Sequence, residues 1–254
     1  MLANERQVLI KKMLEEKGAV KTSFLVEKFG VSLETVRRDF LAMEEEGLLK
    51  KVHGGAIAIS SMKPFFSFEQ RREDFLDLKY ELSDFACNFV CEGDIIGIDS
   101  GTTGIVFAEK LCEKFKKLTV ITYSLEIFNI LSNNSDFSVI LCGGSFDKNE
   151  KSFYGNLALE TFGNLHIQKA FVVPSAVSLE FGIGDYQEHF IQMQKKLISI
   201  SNEVFFLADS SKFEKNALIK LSDLSTEFTF ITDSALSNEI KEIYVENGIN
   251  IYNG

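Results

Sequence analysis

From about residue 76 to the end, short apolar runs of β-forming residues alternate with helical stretches, and this rhythm restricts the fold more than any other feature. The runs are IIGID (95–99), LTVIT (118–122), FSVILC (137–142), AFVV (170–173), EVFFLA (203–208), FTFIT (228–232) and INIY (249–252). Helical segments at 104–116, 124–132, 186–200 and 236–247 lie between several of them. Strands this apolar are buried on both faces, and strand–helix–strand connections set consecutive strands parallel. The pattern therefore predicts an α/β domain, a mostly parallel sheet with helices on both sides. With 254 residues, 45% of them hydrophobic and 25% charged, the chain can bury a sizeable core.

The texture changes near residue 56. Residues 1–56 read as three short helices and a Gly-rich turn, 57–75 as a linker containing Pro64, and 76–254 as the α/β domain. In the first segment, Val8, Leu9, Met13 and Leu14 form the expected inner stripe of a helix over 4–17. Thr22 and Ser23 can cap a second helix, 23–29, with Leu25, Val26 and Phe29 inside. Gly30-Val31 makes a tight turn, and Ser32 stands at the N-cap of a third helix, 33–46, whose inner face carries Leu33, Val36, Phe40 and Met43. Glu34, Thr35 and Arg38 then point outward, with Arg37 at the boundary. Two helices joined by a tight turn, the second presenting polar side chains, make the helix-turn-helix arrangement. In GLLKKVHGGA (47–56), Leu48, Leu49 and Val52 alternate with Lys50, Lys51 and His53, which reads as a hairpin wing with basic groups for a phosphate backbone. A helical protein-interaction module is the competing reading; the outward Arg38 beside a basic wing favours double-stranded DNA.

Net charge first speaks against nucleic acid, since it is −10. Divided at residue 56, however, it becomes +1 for residues 1–56, with ten basic and nine acidic side chains, and −11 for the rest. DNA contact must then come from a few placed cations, so binding is expected to be salt-sensitive.

Other classes fall away. The start lacks the apolar core of a signal peptide, and no run of about 20 apolar residues offers a membrane span, so a cytoplasmic protein with no membrane partner is expected. Cys87, Cys91, Cys112 and Cys142 form no C-x-x-C pair or zinc pattern and read as reduced, mostly buried thiols. Packing accounts for the i,i+4 pair Cys87 and Cys91 better than a redox role.

Within the α/β domain, IIGIDSGTTG (95–104) leads from a strand through Asp99, Ser100, Gly101, Thr102 and Thr103 into a helix. Small residues, free backbone N–H groups and two threonine hydroxyls can hold an oxyanion at such a helix start. The segment is neither a Walker A loop nor G-x-G-x-x-G, and no cofactor is expected. A plain tight turn explains it equally well. Further loops follow strands, where open α/β sheets bind ligands: Thr122-Tyr123-Ser124, Gly143-Gly144 and Asp209-Ser210-Ser211-Lys212. Asp209 and Lys212 supply a carboxylate and a cation suited to a polyhydroxylated phosphate ester. Ser124 also reads as an N-cap and Gly143-Gly144 as a turn.

ERQVLIKKML and FGVSLETVRRDFLAMEEEGLLKKVHGGA resemble the winged helix-turn-helix of the DeoR family of bacterial transcription regulators, which implies a helix-turn-helix proper over 20–39, and the resemblance continues through the second domain. It implies a fold similar to ribose-5-phosphate isomerase and the coenzyme A transferases, serving as a sugar-phosphate sensor. The effector pocket it implies comprises Asp99 to Thr103, Thr122 to Ser124, Gly143-Gly144, and Asp209 to Lys212. Such regulators read repeated half-sites, so a homodimer or homotetramer is expected. The chain departs from the family pattern in one wall. Tyr123 replaces the asparagine of T-N-S, Gly184-Asp185-Tyr186-Gln187 replaces T-T-P-N, and Gln194 replaces the usual lysine of the following helix. An unusual effector or weakened sensing is the expectation, and His189 reads as a packing residue. The readings to separate are a repressor of a sugar-metabolism operon under sugar-phosphate control, a sugar-phosphate isomerase-like enzyme with Asp99, Asp209 and Lys212 as acid/base groups, and a DNA binder that has lost sensing. The first, which is no enzyme, best accounts for residues 1–56.

Overall fold

A computed structural model describes residues 2–17, 19–52, 54–58, 68–134 and 136–254, and the chain divides into two compact units, the larger beginning at Phe68. In the smaller unit, α1 (Ala3–Lys17) is followed by β1 (Ala19–Lys21), α2 (Thr22–Phe29), α3 (Leu33–Glu45), β2 (Leu49–Val52) and β3 (Gly55–Ala58). The strands form an antiparallel sheet in the order β1-β3-β2. Hairpin β2–β3 is the expected wing; β1, only three residues long, gives no periodicity to read.

Ile10, Met13, Leu14, Val20, Leu25, Val36, Phe40, Met43, Leu49 and Ala56 make this unit's core. Two expected inner faces are rotated. Val8 is 67% exposed and Leu9 is also exposed, because α1 turns Arg6, Ile10, Met13 and Leu14 inward. Leu33 is exposed at the start of α3, while Asp39 is buried. One cause explains both shifts: Arg6 and Asp39 join α1 to α3 by a bidentate pair, Nε to Oδ2 at 2.7 Å and Nη2 to Oδ1 at 2.9 Å. An amphipathic count scores these two residues as polar and assigns them outside; paired and hydrogen-bonded, they are accommodated inside. Helix α2 also starts one residue early. Lys21 is its N-cap, without a side-chain cap bond, and the Thr22 N–H donates to the Gly54 carbonyl at 2.8 Å, so neither Thr22 nor Ser23 caps. Gly30 closes α2 at φ 63°, the left-handed conformation that glycine adopts without steric cost.

The larger unit opens with α4 (Phe68–Glu73), inside the stretch read as linker, and α5 (Leu76–Ala86). It continues through β4 (Ile95–Ile98), α6 (Thr102–Lys114), β5 (Thr119–Thr122), α7 (Leu125–Leu131), β6 (Ser138–Leu141), β7 (Ser145–Asp147), β8 (Ser152–Tyr154), α8 (Asn156–Gly163), β9 (Ile167–Val172), β10 (Ala176–Ser178) and β11 (Gly182–Asp185). The chain ends with α9 (Glu188–Ser199), β12 (Ser201–Leu207), β13 (Ile219–Ser222), β14 (Phe228–Thr232), α10 (Asn238–Glu246) and β15 (Asn250–Asn253). The seven apolar runs become one seven-stranded sheet, β15-β14-β12-β9-β4-β5-β6, with every pair parallel.

Strand alternation divides two cores across this sheet. Ala170, Val172, Phe206 and Phe230 pack with α8, α9 and α10; Phe171, Phe205, Leu207 and Ile231 pack with α5, α6 and α7. The fold is α/β, as expected. The antiparallel additions β10-β11-β13 and hairpin β7–β8 were not read from sequence. From β4 the chain lays β5 and β6 to one side, then returns to lay β9, β12, β14 and β15 to the other. The order reverses between β4 and β9, which opens a crevice at the carboxyl ends of those strands.

Candidate functional site

The first candidate surface is the outer face of α3. Ser32 caps the helix, its hydroxyl accepting from the Thr35 N–H at 3.2 Å and lying 2.9 Å from the Thr35 hydroxyl. Thr35 is half-buried by that role, while Glu34, Arg37 and Arg38 are exposed along one face. The helix is anchored from behind by Val36, Phe40, Met43 and the Arg6–Asp39 pair, so its outer side chains are carried on a rigid element. In the wing, Lys51 is exposed, but its ammonium lies 3.0 Å from Glu44 and its N–H donates to the same carboxylate at 2.7 Å. Lys50 pairs with Ile57 in the strand register; its side chain and all of His53 lie outside the described residues.

The second candidate site lies at the strand-order reversal. Asp99 follows β4 and is fully buried. Its Oδ1 accepts from the Ser100 N–H (2.7 Å) and the Tyr123 hydroxyl; its Oδ2 accepts from the Val173 N–H (2.9 Å) and from Gln194 Nε2 (2.9 Å). Burial outweighs these donors and pushes the carboxyl up to about 7. Tyr123, also fully buried and beside this carboxylate, is held well above the ordinary phenol range, primarily by burial. Gly101 holds φ 130° at the start of α6, with Thr102 and Thr103 buried in the first turn. That places the first turn of a thirteen-residue helix at the crevice, where backbone N–H groups favour an anion.

Thr122 and Ser124 are buried at the end of β5, and Ser124 caps α7 through the Ile127 N–H, as expected. Gly144 is needed for packing: a Cβ there would stand 2.5 Å from the Tyr154 carbonyl, whereas Gly143 is open to solvent. Asp209, fully buried after β12, caps the turn Ser210–Lys212 by accepting from the Ser211 N–H (3.0 Å) and hydroxyl. Lys212 is half-buried in that turn. His189 packs against Tyr154 and Phe190 with ring centroids 4.4 and 4.5 Å away.

The structure adds residues the sequence reading did not single out. Lys79 is buried on α5 and donates to the carbonyls of Arg71 and Asp74. Burial lowers its ammonium to about 8, with the Asp209 charge acting the other way. Arg71 pairs with Glu150 at 2.5 Å, and Glu150 accepts from Gln187 Nε2 at 3.0 Å, which ties α4 to the residue preceding α9. A sequence signal existed for Lys79: it shares the 79, 82, 83, 86 stripe with Leu82, Ser83 and Ala86, the buried face of α5. Arg71 and Glu150 lie 79 positions apart and give no such signal.

Together, a winged helix-turn-helix with an exposed reading helix and an α/β unit with a polar crevice at its sheet reversal define a DNA-binding regulator with a sensor domain. Residues 6–62 match the DeoR-like helix-turn-helix domain, and residues 75–234 match the DeoR C terminal sensor domain. The chain belongs to the DeoR family of transcription regulators. An L-fucose operon activator of Haemophilus influenzae is 29% identical over 246 residues, covering 97% of this chain and 98% of its own. The lactose phosphotransferase system repressor of Lactococcus lactis is 31% identical over 227 residues, 89% of each chain. Among solved structures, ribose 5 phosphate isomerase A from Neisseria gonorrhoeae aligns with TM-score 0.41 and 19% identity over 54% of this chain and 53% of that one. Among the described residues, no helix is long and apolar enough to cross a membrane, and no group of His, Cys, Asp or Glu could hold a metal ion. Cys87 and Cys142 are buried, Cys112 is half-buried and Cys91 is exposed.

Proposed function

We propose that this regulator represses a sugar-metabolism operon under the control of a phosphorylated sugar bound at the strand ends of the larger unit. The observation that carries this reading is the composition of that place: the turn Ser100–Thr103 opening α6 and the pair Asp209 and Lys212, with buried Lys79 feeling both of their charges. Cations and helix N–H groups suit the phosphate; carboxylates suit the hydroxyls. The names of relatives, an L-fucose operon activator and a lactose system repressor, support a sugar operon as target. Asp99, with four donors on its two oxygens, and an amide at Gln194 beside it favour sensing over proton transfer to a substrate. We assign operator reading to Ser32, Glu34, Thr35, Arg37 and Arg38, with Lys50, Lys51 and His53 on the backbone, in a homodimer or homotetramer that spans repeated half-sites.

The test is retardation of the DNA upstream of its own gene. Arg38→Ala is expected to weaken binding by roughly 5- to 150-fold, the cost of about 1–3 kcal/mol for one reading arginine. Unchanged retardation after substitution of both Arg38 and Lys50 would remove this surface from the account.

A further inference from the structure

One carboxylate of the smaller unit sits where simple charge argues against it. The last turn of α3 and its cap carry Glu44, Glu45 and Glu46. The backbone carbonyls of a helix end disfavour anions, and this unit must approach a polyanion. Glu45 and Glu46 are exposed, whereas Glu44 is half-buried and both of its oxygens are engaged. Oε1 accepts from the Lys51 N–H at 2.7 Å, and Oε2 lies 3.0 Å from the Lys51 ammonium. The two residues are seven positions apart. The carboxylate thus spans the turn at Gly47, which takes φ 70°, and joins the reading helix to the strand that follows it.

Strand β2 has need of that joint. In the order β1-β3-β2 it is an edge strand, paired by β3 on one side only. Strand β3 is fixed from both sides, and Gly55 lies so close to β1 that a Cβ there would collide with the Val20 carbonyl. Leu49, fully buried, seats the start of β2 in the core. Two residues on, the Lys51 N–H lies on the free edge, and Glu44 supplies its acceptor. A hydrogen bond to an ionised carboxylate is stronger than one between neutral groups, and an ammonium has three donors, enough for Glu44 and a phosphate together. We propose that Glu44 is a positioning residue for operator binding: it holds the outer part of β2 against α3, so that the wing and the reading face of α3 meet one duplex in a fixed register. This rests on the placement of the wing at the DNA backbone proposed above. Its sign is opposite to that of bulk charge: removing a carboxylate near DNA strengthens binding where only charge counts.

The experiment is an anisotropy titration of the full chain against the DNA upstream of its own gene, repeated over a salt series. Glu45→Ala, at the exposed neighbour of equal charge, is expected to bind up to about threefold tighter as repulsion falls. Glu44→Ala is expected to bind roughly 5- to 20-fold weaker, with a salt slope shallower by about 1, because a misplaced wing loses a phosphate contact. Glu44→Gln keeps an acceptor for the Lys51 N–H and is expected to stay within about threefold of wild type. Glu44→Asp keeps the charge on a stem one methylene shorter; it is expected to weaken binding, and it decides the matter where Glu44→Ala fails to fold. Glu44→Ala binding as tightly as wild type, Glu44→Gln binding no better than Glu44→Ala, or Glu44→Asp binding like wild type overturns the positioning role. Lys50→Ala binding like wild type takes the wing off the DNA and the inference with it. Lys50→Ala weakened beside an unaffected Glu44→Ala overturns the inference alone and leaves the wing where it was assigned.

Discussion

Asp99→Asn should change how stability depends on pH, and in a direction opposite to that of a carboxylate held by an ion pair. The folded carboxyl is pushed from an ordinary 3.8 up to about 7, primarily by burial. A raised carboxyl pKa means that the folded chain holds this proton more tightly than the unfolded one. Its favourable contribution is therefore complete below about pH 4 and is lost as pH rises through about 7, where it levels off. At about 1.4 kcal/mol for each pH unit, the gap amounts to about 4 kcal/mol, an upper bound. Asparagine has no such titration. Its mismatch with the donors of Ser100, Tyr123, Val173 and Gln194 is a constant penalty that cancels from the slope. The assay is urea unfolding of wild type and variant at pH values from 4 to 8, following the transition of the larger unit. The variant should gain on the wild type by several kcal/mol across that range. Curves that keep a constant spacing would refute the reasoning that burial, and not the four donors, governs this carboxyl.

Three further outcomes follow from the packing. Arg6→Met leaves Asp39 buried without its partner, and should cost the smaller unit about 3–5 kcal/mol in a thermal melt; Arg6→Met with Asp39→Leu should recover most of it. A single-variant loss below about 1 kcal/mol would show that the pair is not what sets the α1–α3 contact. Gly144→Ala forces a Cβ to within 2.5 Å of the Tyr154 carbonyl and should cost about 1–3 kcal/mol, while Gly143→Ala should be near neutral; equal effects would contradict the packing role. Ser32→Ala removes the α3 cap and should cost about 1 kcal/mol of unfolding free energy, and an unaffected melt would argue against that cap.

The parallel sheet was legible because its strands are buried on both faces. Each of the seven apolar runs is therefore continuous enough to detect, and helices separate most of them. The short antiparallel pieces were not. Ala176–Ser178 and Gly182–Asp185 are three and four residues long, and Ile219–Ser222 meets them only through tertiary contact. In the helix-turn-helix, the cap at Ser32 and the outward Arg38 were readable from spacing, whereas Arg37, read as a boundary residue, is exposed. The inward turn of Arg6 and Asp39 was not readable, because a hydrophobic stripe cannot reveal that two charges 33 positions apart neutralise one another. The strand-end loops of the candidate pocket stood out by residue type. The use of Asp99 as an internally satisfied floor did not, since it depends on Gln194, 95 residues away.

The central claim is that occupancy of the strand-end pocket changes grip on DNA, and fluorescence anisotropy of operator DNA titrated with this chain, with and without saturating sugar phosphate, tests it most directly. A bound sugar phosphate is expected to shift operator affinity by roughly 5- to 150-fold, the range of ordinary coupling between two sites. A bound sugar phosphate that leaves the operator isotherm unmoved would contradict the claim.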